Sequence, residues 1–417
     1  MSDDPNFKAF CGQNRAYVYE KGGEVLVGEL VDAFTVRWQR IRDQISVAQV
    51  SVSMTACCDI LEQIEPVAFE LHIYRNDELV WCGVITRMEF EFDRVDVVAA
   101  DMLWVASRRA VTEGYNYLSY PQNPDAPQGP DPSNPTVGAP DMTVPTVQLM
   151  EYLLRWQCYA QNNDEWNMLD HIQRVDSPQW CDSRTSRQCN AWAATVWAEF
   201  DKLAEDYGTD YCTVGRDIYF YDINLNWNPI QPLVAADIAD YPRVVEYGNA
   251  LATRYIRTDG SGFAGIASAP PEIRDRYAIA IDIVSNENSQ AEAPTEVPPP
   301  IPSQTTIATW TRTAERRLAN AWPVERAIVV PANSTLMPSS PWNINTLMPG
   351  SWFEVTVDRL CRGEVTEYNR LHELRVEETG DGGETVKITT VQPPSYMVLP
   401  SDPPCDEDSG LPIVVEG

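Results

Sequence analysis

The sequence predicts an α+β protein in which β-structure predominates. Residues 16–101 are a series of short segments rich in β-branched and aromatic side chains, separated by turn signals at Gly22-Gly23 and Asn76-Asp77. Helical periodicity becomes clear only after this region, and β-type patterns return near the end of the chain. At 417 residues the chain is long enough for roughly two to four compact units.

The first β-rich region is predicted to hold six or so strands, enough for a barrel or a sandwich. Asp101 ends this region and is the predicted N-cap of a short helix that runs through Arg109. The predicted strands are residues 16–20, 24–38, 46–54, 67–75, 79–93 and 95–101.

Two amphipathic helices are predicted next, in residues 147–160 and 190–208. Asn190 is the predicted cap of the second helix, and Gly208 ends it. Their apolar stripes indicate core packing. The stripes consist of Val147, Met150, Leu153, Leu154 and Cys158 in the first helix, and Trp192, Val196, Phe200, Leu203 and Tyr207 in the second.

The rest of the chain is predicted to be mostly β, with one further helix at 311–322. A hairpin is expected around Gly215-Arg216. Proline-rich linkers or loops are expected at 118–146 and 286–304, and an acidic, proline-rich tail from Pro393. The predicted strands are residues 210–222 (the hairpin), 250–259, 275–284, 326–331, 350–360, 370–379 and 384–391.

The composition excludes several classes of function. The net charge is −30, from 61 acidic and 31 basic residues, which argues against binding nucleic acid or an anionic membrane. We expect no membrane insertion, since no run of eighteen apolar residues occurs, and synthesis in a cytoplasm, since the N-terminus lacks a signal-peptide pattern. Only four of the basic residues are lysines, and an Arg- and Trp-rich chain is typical of an oligomer subunit.

The cysteines and histidines do not match a metal-binding motif. The loosest grouping, Cys158, His171, Cys181 and Cys189, has spacings unlike those of zinc modules, and a Cys181–Cys189 disulfide stays open. His372-Glu373 begins an HExxH pattern, but Val376 occupies the second histidine position. The remaining histidine, His72, lies in a strand pattern.

Two groups of carboxylate or amide side chains are candidates for chemistry. Glu89, Glu91 and Asp93 alternate with apolar residues and are predicted to share one strand face, as an acid pair or cation site would require. Asp222, Asn224 and Asn226 imitate an EF-hand, but Trp227 and Leu233 replace its Gly and Glu. A solvated strand face and a plain loop explain these groups as well. We therefore predict a chain that is not an enzyme, with no catalytic, cofactor-binding or metal-binding residue.

A family resemblance is carried by residues 27–54 and 69–109, with further similarity at 201–222 and 347–355. The features are an Arg-rich strand followed by Ser-x-Ala, an E-L-x-I-Y-R strand, a V-W-x-G-x-I strand, and A-x-D entering a helix. In this order they resemble the minor tail proteins, or tail-hub proteins, of long-tailed phages that infect actinobacteria. The proline-rich 118–146 segment departs from the family pattern.

The resemblance implies a virion protein of the phage tail tip, made in the bacterial host. It implies a homotrimeric hub in which each subunit supplies two antiparallel β-barrel-like domains and an inserted α/β domain. Expected partners are distal tail or tail tube proteins, fibre or spike proteins, and the tape measure protein. The expected divisions are 1–112 (first barrel, with 208–235 a candidate to complete it), 113–146 (loop), 147–207 (insertion), 236–285 (strands), 286–306 (linker), 307–392 (helix and second β-domain) and 393–417 (tail).

Two other functions remain open on the sequence. One is an enzyme that cuts cell-wall polysaccharide through Glu89, Glu91 or Glu199. The other is a carbohydrate-binding module that uses exposed Trp or Tyr side chains.

Overall fold

The computed structural model describes most of the chain between residues 8 and 391. The described residues are 8–54, 58–112, 144–175, 184–185, 192–207, 209–222, 231–245, 253–258, 264–277, 282–286, 307–308, 310–312, 314–315, 318, 327–358, 363–380 and 383–391. Several predictions concern residues outside these ranges. They are the predictions for Asn190, Gly208, the Cys181–Cys189 disulfide, Asn224, Asn226, Trp227, most of both proline-rich segments and the tail from Pro393.

The first β-rich region contains seven strands and confirms most of the predicted ones. The predicted 24–38 strand is divided in two, because Asp32 has a positive φ of 54° and the chain turns there. Asn76 and Asp77 both have positive φ, as a tight hairpin turn between twisted strands requires. The elements are β1 (Asn14–Glu20), β2 (Leu26–Glu29), β3 (Ala33–Ile41), β4 (Val47–Ser53), α1 (Cys58–Leu61), β5 (Phe69–Arg75), β6 (Glu78–Phe90), β7 (Arg94–Asp101) and α2 (Leu103–Arg108).

The next region forms a small α/β unit with its own core. Its three-stranded sheet has the order β11-β12-β9, with β12 and β9 parallel. The first predicted helix begins as α-helix and continues as π-helix over Leu153–Tyr159. The elements are β8 (Val144–Pro145), α3 (Thr146–Tyr152), β9 (Ile172–Val175), β10 (Arg184–Thr185), α4 (Val196–Tyr207), β11 (Thr209–Val214) and β12 (Asp217–Asp222).

The last region returns to β-structure, as predicted. The positions described within 307–318 are helical, and they include Trp310 and Leu318. The elements are β13 (Gln231–Val234), β14 (Arg243–Val245), β15 (Arg254–Thr258), β16 (Ala264–Ser268), α5 (Pro271–Tyr277), β17 (Asp282–Asn286), β18 (Ala327–Val329), β19 (Ser334–Thr335), β20 (Trp352–Val357), β21 (Val365–Thr379) and β22 (Glu384–Val391).

Strands from both ends of the chain belong to one twelve-stranded sheet. Its main path runs β13-β20-β21-β3-β4-β7-β6-β5-β1-β2, and β22 and β19 join it beside β21. The fifteen-residue β21 joins the two regions, because its first half pairs with β20 and its second half with β3. Predominantly β-structure is thus confirmed. Within the described residues the strands of both halves belong to one continuous sheet and no ladder closes either half, so the predicted pair of barrel-like domains is not confirmed.

Two hydrophobic cores lie on opposite faces of β6. Trp81 and Ile85 belong to a core shared by both β-regions, whereas Cys82 and Val84 belong to the core of the α/β unit. A strand that is covered on both faces needs an uninterrupted apolar run, which explains the Leu-Val-Trp-Cys-Gly-Val-Ile sequence of this strand. Gly83 allows close packing here, because a Cβ at this position would collide with the Ala100 carbonyl.

Buried side-chain contacts take the place of strand pairing between the start of β1 and strands β21 and β22. We call these contacts the seam. The fully buried Arg75 guanidinium binds both oxygens of Glu384, with Nε–Oε1 and Nη2–Oε2 distances of 2.7 Å. The Glu378 carboxylate accepts the backbone N–H of Asn14 at 2.6 Å, where a neighbouring strand would offer a carbonyl. Trp38 donates to the Asn14 side chain at 2.9 Å. The sheet edge is therefore closed by side chains.

A second buried arginine holds the loop that precedes β20. Arg40 donates to the carbonyl oxygens of Val80, Asn345 and Leu347 at 2.8–2.9 Å, and its hydrogen-bond partners within the described part of the chain include no carboxylate. Burial lowers the pKa of Arg40 to about 10, which leaves it charged at neutral pH. The guanidinium also lies 5.0 Å from the Trp38 ring centroid, where a cation–π attraction adds to the hydrogen bonds. Arg40 thus fixes a loop from the C-terminal region to the N-terminal sheet.

Two predictions about elements in the middle of the chain were wrong. Trp192 was expected in the apolar stripe of a helix, but it precedes α4, has a positive φ of 64° and is 72 % exposed. The strand predicted at 275–284 is instead divided between the end of α5 and the start of β17. Pro271 is the first residue of α5, a position where a helix does not use the backbone N–H that proline lacks, so proline can begin the helix. Val196, Phe200 and Leu203 are fully buried, as predicted.

The seam should make a large contribution to stability. We expect Glu384→Ala to lower the free energy of unfolding by about 3–5 kcal/mol, because it leaves the Arg75 charge buried without its partner. Urea denaturation measures this. Glu91→Ala, which removes an exposed carboxylate 3.0 Å from Arg94, is the matched control and should leave the unfolding midpoint unchanged. Equal effects of the two substitutions would contradict the seam's importance.

Candidate assembly site

The main cluster of charged and nucleophilic side chains lies where the α/β unit meets the sheet. We call it the junction cluster, consisting of Glu70, His72, Cys82 and Arg216. The first three lie on the neighbouring strands β5 and β6, and alternation along β5 places Glu70 and His72 on one face. Arg216 lies in the tight turn between β11 and β12. All four are buried.

Arg216 binds Glu70 with both of its terminal nitrogens. Nη2 donates to Glu70 Oε1 at 3.0 Å, Nη1 forms a short hydrogen bond to Oε2, and Nη2 also donates to the Trp166 carbonyl. The backbone N–H of Gly22 donates to Glu70 Oε1 at 2.9 Å. A Cβ on the adjacent Gly23, whose φ is +73°, would collide with the guanidinium. The Gly22-Gly23 turn thus gives the arginine room to enter.

The charge on Arg216 stabilises the ionised form of Glu70 in the junction cluster. Burial opposes ionisation of Glu70, but its hydrogen bonds to His72 and Arg216 outweigh burial and lower its pKa. Burial lowers the pKa of His72, which therefore remains neutral at pH 7. Burial also raises the pKa of the Cys82 thiol well above its usual range, so this cysteine is not a reactive thiolate. The cluster is built for a single ion pair surrounded by neutral groups.

The junction cluster also presents three potential metal ligands. Atoms of Glu70, His72 and Cys82 lie within 4.8 Å of one another. Arg216 Nη1 lies among them, 3.5 Å from both His72 Nε2 and Cys82 Sγ, and forms the short bond to Glu70. The Arg216 guanidinium therefore occupies the position between the three side chains that a metal ion would need. The residues present suit an internal ion pair and do not suit a metal centre.

A buried carboxylate on β7 fixes the α/β unit at a second point. Asp101 accepts hydrogen bonds from the Ser46 N–H and hydroxyl at 2.6 Å, from Thr213 Oγ1 at 2.9 Å and from the Leu103 N–H at 3.1 Å. The last bond lies at the start of α2, but the N-cap of this helix is Met102, so the prediction of Asp101 as the N-cap was wrong by one residue. Burial raises the pKa of Asp101 to about 6, even though the hydrogen bonds from Ser46 and Thr213 lower it.

A third contact links the α/β unit to the C-terminal strands. Arg370 on β21 forms a short hydrogen bond to the buried Asp210 on β11, and Arg42 lies 3.9 Å from the same carboxylate. Burial opposes ionisation of Asp210, but the two arginines outweigh it and lower its pKa. Burial and the nearby Asp210 charge raise the pKa of Asp43. The three contacts hold the unit against both parts of the sheet.

The predicted acidic face on β6 does not exist. The strand ends at Phe90, and residues 91–93 form the turn into β7, so Glu91 and Asp93 do not share a face with Glu89. Glu89 pairs with Arg87 and Glu91 with Arg94, each at 3.0 Å and exposed. The shared strand face on which the candidate acid pair depended is therefore not formed in this hairpin. Glu199, the other candidate, is 5 % exposed on α4.

The other candidates take structural positions. Cys158 is a buried free thiol, and His171 pairs with Asp217 at 2.7 Å, whereas Cys181 and Cys189 lie outside the described residues. His372 and Glu373 lie on β21, where an HExxH helix cannot form. Asp222 ends β12, and Leu233 is fully buried in the shared core. Among the described residues, no helix is long and apolar enough to cross a membrane.

The junction cluster should be essential for docking the α/β unit. We expect Arg216→Ala to lower the free energy of unfolding by about 3–5 kcal/mol, because Glu70 is left buried without its cation. Limited proteolysis of the 144–222 region should accelerate in parallel. Arg216→Lys should restore only part of the stability, since an ammonium cannot bind both carboxylate oxygens with planar geometry. Full rescue by lysine would contradict the bidentate arrangement.

Asp101 should make stability depend on pH in a defined window. Its folded pKa of about 6 exceeds the usual 3.8, so the folded state holds the proton more tightly and Asp101 favours folding at low pH. This contribution, about 3 kcal/mol for a shift of roughly two units, is lost as pH rises from about 4 to 6. Asp101→Asn removes the titration. The free energy of unfolding of the wild type, measured relative to Asp101→Asn, should fall across this window, and a constant difference would contradict the assignment.

Comparisons with known proteins identify the fold. No protein-family model matches the sequence, and no curated protein shows significant similarity to it. Three solved structures match over nearly their whole length. A 43 kDa tail protein of prophage MuSo2 from Shewanella oneidensis is 8 % identical, with a TM-score of 0.54, over 92 % of this chain and 98 % of that one.

Two further solved structures agree with the first. A tail protein from Neisseria meningitidis is 10 % identical, with a TM-score of 0.53, over 91 % of this chain and 96 % of that one. Prophage tail protein gp18 from Listeria monocytogenes is 9 % identical, with a TM-score of 0.52, over 90 % and 94 %. Similarity at this level of identity concerns the fold alone. The chain has the fold of solved phage tail proteins.

Proposed function

We propose that this chain is a structural protein of a phage tail tip. In this proposal it forms a trimeric hub around the tail lumen and joins the tail tube or distal tail ring to receptor-binding or spike components. The hub holds the tip closed and then opens a path for DNA on infection. The tape measure protein is a further expected partner, and the host expected from the sequence resemblance is an actinobacterium.

The observation that carries the proposal is the extent of the fold similarity. Three proteins named as tail proteins match this chain over 90–92 % of its length, and at least 94 % of their own lengths is covered. A match of this extent includes the sheet, the α/β unit and the C-terminal strands together. The sequence resemblance to minor tail proteins, which rests on residues 27–54 and 69–109, points independently to the same class.

The internal contacts support a mechanical role. The junction cluster and the Arg75–Glu384 seam hold three parts of the chain together through buried charges that are already paired. Such charges tie together parts of the chain that lie far apart in sequence and contribute no reactive group. We therefore propose a chain that is not an enzyme and acts by holding subunits in position.

The charge of the chain suits a wall along which DNA moves. With a net charge of −30, most surfaces repel phosphate and do not retain it. In the proposed hub the lumen wall is acidic, so the genome slides past without binding. Association between subunits then depends on the apolar and arginine-rich parts of the surface.

Mass in solution and location in the particle test this proposal. Light scattering after size exclusion should give three times the mass of the chain at micromolar concentration, and labelling of a tagged chain in intact virions should mark the distal tail tip. Zymography on host cell walls should show no clearing. A stable monomer that is absent from virions, or clearing by the purified chain, would contradict the structural role.

A further inference from the structure

Four large apolar side chains are exposed around the end of the β6–β7 hairpin and the start of β3. We call them the apolar rim, consisting of Phe34, Met54, Phe90 and Phe92. Phe90 is 58 % exposed, and Phe92 in the hairpin turn is fully exposed. Met54 follows β4, and its N–H donates to the Asp93 carbonyl at 3.3 Å, which places it against the hairpin turn. Phe34 is the extra residue of a β-bulge in β3.

The apolar rim continues the shared core beyond the residues that cover it. Phe90 lies directly opposite Val95, so both side chains are on the same face of the sheet. Val95 and the next residue across, Val52, are fully buried in the core. In this row, Val52 and Val95 are completely buried, whereas Phe90 on the next strand is more than half exposed. An apolar row of this kind at the end of a sheet is suited to being covered by another molecule.

An acidic slot lies next to the rim. A cavity of about 360 Å³ opens between β1, the β2–β3 turn and the end of β21. Its walls include Val31, Asp32 and Ala33, and Ala33 directly precedes Phe34 of the rim. Gly380, another wall residue, lies against the Phe34 backbone. The charged residues of the slot are Glu29, Asp32 and Glu378 against Arg15, and Arg15 lies 4.0 Å from an exposed Asp77. The slot thus combines apolar walls with an excess of negative charge.

The hairpin has the same excess of acid. Between residues 87 and 96 there are two arginines, Arg87 and Arg94, and both already contact carboxylates. The acids in this stretch are Glu89, Glu91, Asp93 and Asp96. A partner that covers the rim must therefore bring positive charge as well as apolar side chains. A second copy of this chain is poorly suited, because its 61 acids and 31 bases repel an acidic surface.

We propose that the apolar rim and the acidic slot form one docking surface for a different protein, whose contact segment alternates apolar side chains with Lys or Arg. The apolar side chains cover Phe90 and Phe92, and a basic side chain enters the slot beside Asp32. This inference rests on the structural role proposed above and adds the chemistry of one partner. It requires no virion to test.

Two labelled heptapeptides serve as probes, one alternating Lys with Val and one alternating Glu with Val. Fluorescence anisotropy at 150 mM salt should show that the Lys peptide binds the full chain at least ten-fold more tightly than the Glu peptide. Phe90→Ser combined with Phe92→Ser should weaken Lys-peptide binding at least ten-fold without changing the charge. Phe92→Ser alone, at a fully exposed position, keeps the test valid if the double variant does not fold.

The controls separate a specific surface from diffuse attraction. Trp156→Ser removes an exposed aromatic outside the rim and should leave binding unchanged. Equal binding of the Lys peptide to the wild type and the Phe90→Ser/Phe92→Ser variant would overturn the proposal, because charge alone would then explain it. A loss of oligomer mass in that variant would also overturn it, since a second copy would then be the occupant. A wild-type monomer that still binds the Lys peptide through the rim would count against the trimer and not against the docking surface.

Discussion

Three buried arginine–carboxylate pairs hold this chain together, and the rest of the fold depends on them. Arg75 binds Glu384, Arg216 binds Glu70, and Arg370 binds Asp210, with 309, 146 and 160 positions between the partners. Each pair joins a different two of the three regions. In the first two pairs the planar guanidinium binds both carboxylate oxygens, which fixes orientation as well as distance in a way that a point charge or an apolar contact would not. The regions therefore have a defined geometry relative to one another.

Strand β6 shows why this geometry matters for the proposed role. One of its faces packs into the core shared by the two β-regions, and the other packs against the α/β unit. Its end then extends beyond both cores as the β6–β7 hairpin, where Phe90 and Phe92 are exposed. The apolar rim therefore lies at the end of a strand whose base is packed on both faces, an arrangement that suits a docking surface.

Local patterns in the sequence predicted most elements of the fold but few of its long-range contacts. Alternation and turn residues located most of β1 to β7, although β2 and β3 were predicted as one strand, and the stripe of Val196, Phe200 and Leu203 located α4. The predicted face of Glu89, Glu91 and Asp93 failed because alternation cannot reveal where a strand ends. The junction cluster was missed because Glu70 and Arg216 each look like ordinary strand and turn residues. An arginine in a tight turn between two strands rich in aromatic residues was the available signal, and only the fold shows its partner.

The Arg75–Glu384 seam also has a consequence for biosynthesis. The ribosome must add 309 further residues after Arg75 before its partner exists. At roughly 5–20 residues per second, that interval is on the order of 15–60 s. Until then the backbone of β1 at Asn14 lacks the carboxylate of Glu378, and the Arg75 guanidinium, which is buried in the folded protein, remains solvated. A chain that stops before Glu384 cannot form the seam, so the edge is closed only in chains that extend through this residue, and shorter ones carry an open strand prone to proteolysis or aggregation.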